Sequence, residues 1–172
     1  MKNILKSSLA ILLCLSVQAD FTNGQSDEGF KSASSNIQGS LFPKLSDNNS
    51  VYLRLNAPGA EKVQVQGGDG FCPKPLDMQK DADGNWNIVI PDAGPGFHYY
   101  WFIVDGLRVN DPGSDTYHGY GRPTGGIEIP VAGEDFFLPK QVPHGEVREH
   151  WYYSEITGKW RRAFVYTPPE YE

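Results

Sequence analysis

One short segment of the chain concentrates aromatic side chains, Phe97-His98-Tyr99-Tyr100-Trp101-Phe102-Ile103-Val104. Alternate residues of a strand point to opposite faces, so Tyr99 and Trp101 share one face and Tyr100 and Phe102 share the other. Two residues along a strand span about 6.6 Å. Because aromatic faces bury the axial C–H edges of a pyranose, the face of Tyr99 and Trp101 is a candidate surface for carbohydrate stacking. The residues leave a second interpretation open, in which these rings pack against another part of the protein.

A polar aromatic loop follows the turn at Asp111-Pro112-Gly113. It carries two further tyrosines, Tyr117 and Tyr120, next to a histidine and an arginine. With Tyr99 and Trp101, these two tyrosines complete the set of candidate carbohydrate-binding residues.

The sequence predicts no catalytic residue. A hydrolase of the α/β type needs a Gly-x-Ser-x-Gly turn for its nucleophile, then an acid and a histidine later in the chain. That pentapeptide is absent, and the nearest match, Gly113-Ser114-Asp115, falls in a turn. The four histidines stand at positions 98, 118, 144 and 150, too early for this order. We expect His144 and His150 to hold local hydrogen bonds.

No metal or cofactor is predicted either. Asp81 and Asp83 have the i, i+2 spacing of a calcium loop, but the remaining ligands and the later bidentate glutamate are missing. Asp83-Gly84 between two strands is typical of a hairpin turn, which is the interpretation we favour over a metal. Cys72 has no histidine or second cysteine near it in sequence, so we expect a small buried hydrophobe and not a reactive thiol.

Periodicity indicates an all-β protein. Alternating apolar residues mark strands at 51–55, 63–65, 86–90, 97–104 and 127–129, and turn residues separate them. Gly (19 residues) and Pro (13 residues) are frequent, which favours turns over long helices. Five or six short strands in about ninety residues, without a helical period, predict a small β-sandwich.

Charge argues against a nucleic-acid partner. The chain has 15 basic and 21 acidic residues, a net charge of −6, and the basic residues are scattered. Residues 20–43 are rich in Ser, Asn, Gly, Gln and Asp, which predicts a flexible leader.

The first 19 residues have the pattern of a signal peptide. Lys2 and Lys6 precede a short apolar run at 9–17, and Val17-Gln18-Ala19 fits a cleavage site. The run is too short to span a bilayer, so we expect no membrane association and a secreted or periplasmic location. Lipidation of Cys14 is the alternative, although the residue before it is a leucine where a small residue is normally needed.

Three stretches, NSVYLRLNAPGAEKVQVQGG, DADGNWNIVIPDAGPGFHYYWFIVDGLRVNDPGS and GGIEIP, together resemble a family 48 carbohydrate-binding module. The matching features are an Asp-Gly-x-Trp hairpin, Pro-Gly before the aromatic strand, a Val-Asp-Gly turn and Asp111-Pro112. The resemblance implies an early-set immunoglobulin-like sandwich with Tyr100 and Phe102 in its core. It places Trp101 where glycogen-binding members have a ligand-contacting lysine. The family's two ligand tryptophans have no counterpart at 70–75 or at 107–108.

A later stretch, VPHGEVREHWYYSEITGKWRRAFVYTPPEYE, resembles the opening of the catalytic domain of family 1 carbohydrate esterases, which include feruloyl and acetylxylan esterases. The resemblance implies the first β-hairpin of an α/β-hydrolase domain, whose catalytic residues would follow in the same polypeptide.

The complete prediction is an early-set β-sandwich followed by the opening hairpin of an esterase domain. We expect a signal peptide (1–19), a flexible leader (20–43), a carbohydrate-binding-like module (44–131), a connector (132–145) and the start of the esterase domain (146–172). The predicted function is that of an accessory module and first strands of a secreted esterase that acts on plant cell-wall polysaccharide. Two alternatives stay open, a free-standing protein that binds α-glucan or xylan and a purely structural domain.

Overall fold

The computed structural model describes residues 27–171, whose regular structure consists of β-strands only. The all-β prediction is therefore confirmed, and none of the described residues contributes a membrane-crossing helix. The predicted signal peptide lies outside the described residues. In chain order the strands are β1 (Phe30–Ser32), β2 (Lys44–Ser46), β3 (Val51–Asn56), β4 (Val63–Gly67), β5 (Leu76–Asp77), β6 (Gln79–Lys80), β7 (Asn85–Ile90), β8 (Gly96–Val104), β9 (Leu107–Val109), β10 (Thr116–Gly119), β11 (Arg122–Ile129), β12 (Glu146–Ser154) and β13 (Lys159–Thr167).

The described residues divide into two compact units, the first ending at Val131 and the second beginning at Ala132. The first unit contains two antiparallel sheets. One has the strand order β1-β2-β3-β7-β6, and the other has the order β10-β11-β8-β4-β5, with β9 also paired to β8. Strand β8 is the organising strand of the second sheet, because its first half pairs with β11 and its second half pairs with β4.

The core of the first unit follows from alternation along the strands. Val51 and Leu53 of β3, Val63 and Val65 of β4, and Tyr100 and Phe102 of β8 are completely buried. Burial of one such side chain stabilises the fold by about 1.5–3 kcal/mol. The two inner faces together form one hydrophobic cluster, which is the arrangement of a β-sandwich.

A buried polar pair lies inside this core. The Tyr100 hydroxyl donates a 2.6 Å hydrogen bond to Asp111 Oδ2, and the Gly113 backbone N–H donates a 2.7 Å hydrogen bond to Asp111 Oδ1. Burial raises the pKa of the Asp111 carboxyl, although both hydrogen bonds act to lower it. Burial, followed by the charge of Asp111, raises the pKa of Tyr100. The pair fixes the turn after β9 to the centre of β8.

Residues 27–43 differ from the flexible leader that the composition predicts. Strand β1 pairs with β2, Ala33 is buried in the core, and Asn36 forms a bridge with Ser114. Ser32, Asn36 and Ser40 donate side-chain hydrogen bonds to backbone carbonyls, for example from Asn36 Nδ2 to the Pro43 carbonyl at 3.0 Å. Part of its polar composition thus serves hydrogen bonding within the sandwich, although most of the segment is exposed.

The second unit contains a two-stranded sheet. Strands β12 and β13 pair over nine residues, from Glu146↔Thr167 to Ser154↔Lys159. The turn between them closes with a 2.8 Å hydrogen bond from the Gly158 N–H to the Ser154 carbonyl. Large apolar side chains on both strands are exposed, including Trp151, Trp160 and Tyr166.

Candidate functional site

Five aromatic side chains meet on the outer face of the second sheet, and we call them the aromatic cluster: Phe97, Tyr99, Trp101, Tyr117 and Tyr120. Strand β8 contributes Phe97, Tyr99 and Trp101, which alternate with the inner-face residues Tyr100 and Phe102 that are completely buried in the core. The β10–β11 hairpin contributes the two tyrosines. The structure therefore brings together all four candidate residues that the sequence singles out.

Edge-to-face contacts connect the aromatic cluster from end to end. The ring centroid of Phe97 lies 4.9 Å from that of Tyr99 and 4.7 Å from that of Tyr117. The ring centroid of Tyr120 lies 5.7 Å from that of Tyr99 and 5.3 Å from that of Trp101. The interplanar angles of these four pairs lie between 74° and 90°. T-shaped pairs of this kind contribute about 0.5–1.5 kcal/mol each beyond the area they bury.

Trp101 is the covered member of the aromatic cluster. Its side chain is 3% exposed, and the guanidinium carbon of Arg108 lies 4.5 Å from its ring centroid. Its Nε1 is buried and has no hydrogen-bond partner among the described residues. The accessible aromatic surface belongs to Tyr120 (60% exposed), Phe97 (38%) and Tyr117 (36%). Of the two residues expected to form a platform on β8, Trp101 thus lies beneath the surface and supports Tyr120.

Tyr120 adopts a conformation that is unusual for tyrosine. It occupies the two-residue turn between Gly119 and Arg122, with φ of 53°, followed by Gly121 with φ of 73°. Two positive φ values are typical of a type I′ turn, for which Asn and Gly are preferred. A left-handed conformation of a bulky residue costs about 1–3 kcal/mol. This turn directs the ring of Tyr120 back over Trp101.

Glycines beneath the aromatic cluster allow its rings to lie against the backbone. A Cβ atom on Gly126 would be 2.9 Å from Tyr117 Cδ2 and would also overlap the ring of Phe97. A Cβ atom on Gly68 would lie 2.8 Å from the Tyr120 hydroxyl. The rings of Phe97 and Tyr117 thus cover the strand glycine Gly126, and the ring of Tyr99 lies against Gly119 in the same way. The Gly125-Gly126 pair in the sequence is the signal that could have indicated this packing.

The two ends of this face differ in charge. At one end Arg108 and Arg122, with Asn110 and Pro123, line an open depression of about 340 Å³. At the other end Glu128 pairs opposite Phe97. Desolvation, with the charges of Asp115 and Glu128, raises the pKa of Tyr117 at this end. The aromatic cluster therefore runs from a basic end to an acidic end.

The described residues that could have suggested catalysis or metal binding have structural partners. The Ser114 hydroxyl donates to the Gly126 carbonyl at 2.6 Å, and a ring nitrogen of His98 lies 2.6 Å from the Gly94 carbonyl. Asp81 Oδ1 accepts hydrogen bonds from the backbone N–H groups of Asp83 and Asn85, so the acidic turn is a hairpin closed by its own donors. No cluster of three or more potential metal ligands occurs within residues 27–171. His144 Nε2 lies 2.7 Å from the Lys140 carbonyl.

Comparison with known proteins gives one extended similarity. No protein-family model matches the chain. An endo-1,4-β-xylanase/feruloyl esterase from Xylanibacter ruminicola is 33% identical over 168 residues, which is 96% of this chain and 23% of that protein. The chain thus spans less than a quarter of the length of this curated relative.

Solved structures give partial likenesses. The match to a pullulanase from Paenibacillus barengoltzii covers 52% of this chain and 14% of the pullulanase chain, with 24% identity and a TM-score of 0.39. The match to the catalytic module of SpuA, a glycogen-degrading pneumococcal virulence factor, covers 71% of this chain and 20% of the SpuA chain, with 19% identity and a TM-score of 0.42. The similarity over nearly the whole chain is the one to a segment of the carbohydrate-active xylanase/feruloyl esterase.

Proposed function

We propose that this chain is the accessory carbohydrate-binding module of a secreted esterase, and that the aromatic cluster contacts the polysaccharide. The observation that carries the proposal is the position of Tyr120. A tyrosine held in a left-handed turn over a buried tryptophan keeps a large apolar ring 60% exposed at a conformational cost. Stacking on a sugar ring would use that exposed face.

The size of the accessible surface fits a short length of polysaccharide. Phe97, Tyr117 and Tyr120 are all exposed by a third or more, and contacts through Tyr99 connect them. Their edge-to-face arrangement makes a ridged surface, on which successive sugar rings would find separate aromatic contacts. A module that resembles family 48 but lacks its ligand tryptophans would use these tyrosines in their place.

The second unit supports the esterase part of the proposal. The strands at Glu146–Ser154 and Lys159–Thr167 carry exposed apolar side chains on a sheet of two strands, which is marginally stable alone in water. We propose that they are the first strands of a hydrolase sheet and that the signal peptide at 1–19 directs export. The whole enzyme would hydrolyse feruloyl or acetyl esters on plant cell-wall xylan, because nearly all of this chain is similar to part of a xylanase/feruloyl esterase.

Burial of Trp101 favours a second candidate function, a structural domain without a ligand. Its ring is 3% exposed, and both Arg108 and Tyr120 cover it, as expected for packing within a stable sheet surface. In that case the aromatic cluster would only stiffen the second sheet or contact the rest of the enzyme.

Affinity electrophoresis of the full chain through gels containing xylan or glycogen distinguishes these candidates. Wild-type protein should be retarded in the xylan gel, and Tyr120→Ala should weaken that binding about fivefold, the equivalent of ~1 kcal/mol of stacking. Tyr171→Ala is the matched control, because Tyr171 is also 60% exposed but lies in the second unit. Retardation only by glycogen would favour an α-glucan binder. Unchanged mobility of the wild type in both gels would overturn carbohydrate binding and leave the structural candidate.

A further inference from the structure

We propose that the depression beside the aromatic cluster binds the carboxylate of an acidic sugar, so that the polysaccharide recognised is one that carries uronic acid residues. The inference rests on the proposed function, because it assumes that a sugar occupies the aromatic cluster. Arg108 and Arg122 would hold the carboxylate, and Tyr120 would stack on the ring that carries it.

The first argument is that these two arginines lack acidic partners. Most basic residues between 27 and 171 are occupied: Lys31, Lys44, Lys62, Lys140, Arg148 and Arg162 form ion pairs. Arg54 donates to Asn87 Oδ1, and Lys80 donates to two backbone carbonyls. Within the same range, neither Arg108 nor Arg122 has an ion pair or a hydrogen-bond acceptor for its guanidinium. Lys74 and Lys159 likewise form no ion pair among the described residues, but Arg108 and Arg122 together line one depression.

The second argument is that the local structure places both arginines beside the depression and restrains the side chain of Arg108. Arg108 lies on β9, where it pairs opposite Ile103, and its guanidinium stacks on Trp101 with 4.5 Å between guanidinium carbon and ring centroid. Arg122 begins β11, two residues after Tyr120. Asn110, which directly follows β9, donates a 3.1 Å side-chain hydrogen bond to the Pro123 carbonyl of β11. Arg108 is therefore restrained before an anion binds, which lowers the side-chain entropy it would lose, whereas Arg122 is an exposed side chain beside the same depression.

The third argument is the chemistry of the anion. A guanidinium presents a planar fork of donors that matches a carboxylate, and two of them can hold both oxygens. The carboxylate of a uronic acid is equatorial on C5, so it projects from the edge of the ring. A ring stacked on Tyr120 could therefore extend its carboxylate to the neighbouring arginines. Glu128 at the opposite end of the face would repel an anion there, which gives the bound chain a direction.

A polyphosphate is a poorer candidate. The basic surface consists of two arginines, whereas nucleic acids need a run of cations along the backbone. The carboxylate could come from a uronic acid within a polysaccharide or from a free uronate. These two sources have the same chemistry and are separated in the experiment.

The test compares two forms of one polysaccharide in affinity gels, glucuronoxylan and the same glucuronoxylan with its carboxyl groups reduced to alcohols. Wild-type chain should bind the acidic form about tenfold more tightly, because hydrogen bonds to a charged group are among the strong ones. Arg122→Gln should bind both forms equally, at the affinity of wild type for the reduced form. Arg122→Lys should keep part of the preference, because it retains the charge and loses the planar fork. The matched control, Arg161→Gln on β13, should behave as wild type.

The outcomes separate this inference from the proposed function. If wild type binds the two forms equally, or if Arg122→Gln keeps the preference, the carboxylate site is wrong while carbohydrate binding stands. If wild type binds neither form, the proposed function fails and the inference fails with it. Free glucuronate at millimolar concentration should compete weakly if the aromatic stack and the carboxylate act together. Full competition by free glucuronate would show an anion site that is independent of the polysaccharide and would overturn the proposal.

Discussion

Replacing Tyr100 by phenylalanine tests the buried polar pair of the sandwich. The change removes only the hydroxyl that donates the 2.6 Å hydrogen bond to Asp111 Oδ2. Asp111 is 3% exposed, so water cannot replace the lost donor. A hydrogen bond to a charged group contributes about 1.5–3 kcal/mol, and we therefore expect Tyr100→Phe to lower the free energy of unfolding by about 2 kcal/mol at pH 7.

Urea unfolding followed by NMR measures this loss in the full chain. The Trp86 indole is the reporter for the first unit, because its N–H donates to the Ala57 carbonyl at 3.0 Å within the core. With an m-value of about 2 kcal/mol per molar urea, the midpoint should fall by about 1 M. Tyr99→Phe is the matched control, since its hydroxyl makes a longer 3.3 Å bond at an exposed site, and it should change the midpoint little. Equal midpoints for wild type and Tyr100→Phe would refute the assigned role of the pair.

The pH dependence of the same measurement gives an independent check. Because burial raises the pKa of Asp111, the folded state holds this proton more tightly than the unfolded state does. The free energy of unfolding contributed by Asp111 therefore falls as pH rises from its ordinary pKa of 3.8 through the raised value in the fold. Asp111→Asn should remove this pH-dependent contribution. The free energy of unfolding of the variant, relative to that of wild type, should therefore increase as pH rises through this range. A difference that is constant with pH would contradict the assigned direction.

Three further predictions concern other parts of the molecule. Gly126→Ala should displace the rings of the aromatic cluster and destabilise the first unit by about 1–3 kcal/mol, whereas Gly59→Ala, with open space around its Cβ, should not. Equal near-ultraviolet circular dichroism spectra of wild type and Gly126→Ala would contradict this displacement. Burial raises the pKa of the Cys72 thiol to about 12, so little reactive thiolate forms at pH 8 in the folded protein. In a chain with Cys14→Ser, a disulfide reagent at pH 8 should therefore react with Cys72 at least 100-fold more slowly before unfolding than after, and rapid labelling of the folded protein would contradict this burial. Trypsin should cleave first within β12 and β13 and leave a resistant core that ends near Val131, because the hairpin has one ladder and exposed side chains. A hairpin that survives as long as the core would oppose the proposed assignment of these strands to an esterase domain.

The strands with strong alternation could be predicted from the sequence, because their pattern records burial directly. Val51 to Leu55 and the aromatic run of β8 alternate between core and surface as expected, and Tyr100 and Phe102 lie in the core. Strands β1, β2, β5, β6, β9 and β10 were not predicted, since each has at most four residues. Phe30–Ser32 shows the difficulty: it becomes a strand only because the backbone of β2 is available to pair with it.

The candidate site was predictable in its members but not in its geometry. A shared face for Tyr99 and Trp101 follows from strand period alone. Burial of Trp101 depends on Tyr120, which reaches it only through a left-handed turn that Gly or Asn would normally occupy. The partnership of Arg108 and Arg122 depends on which strands flank β8, and no local pattern contains that information.

The segment from 27 to 43 has a consequence for how the first unit folds. The Glu128 backbone N–H donates to Ser35 Oγ at 3.4 Å, a contact between residues 93 positions apart, and Asn36 forms its bridge with Ser114. Contacts between such distant residues require closure of long loops before they become favourable, which slows folding. During synthesis the sandwich could not close until Glu128 had left the ribosome, and until then both sheets would lack part of their final packing. The first unit should accordingly acquire its stability late and in one cooperative step, with little stable structure in chains that end before β11.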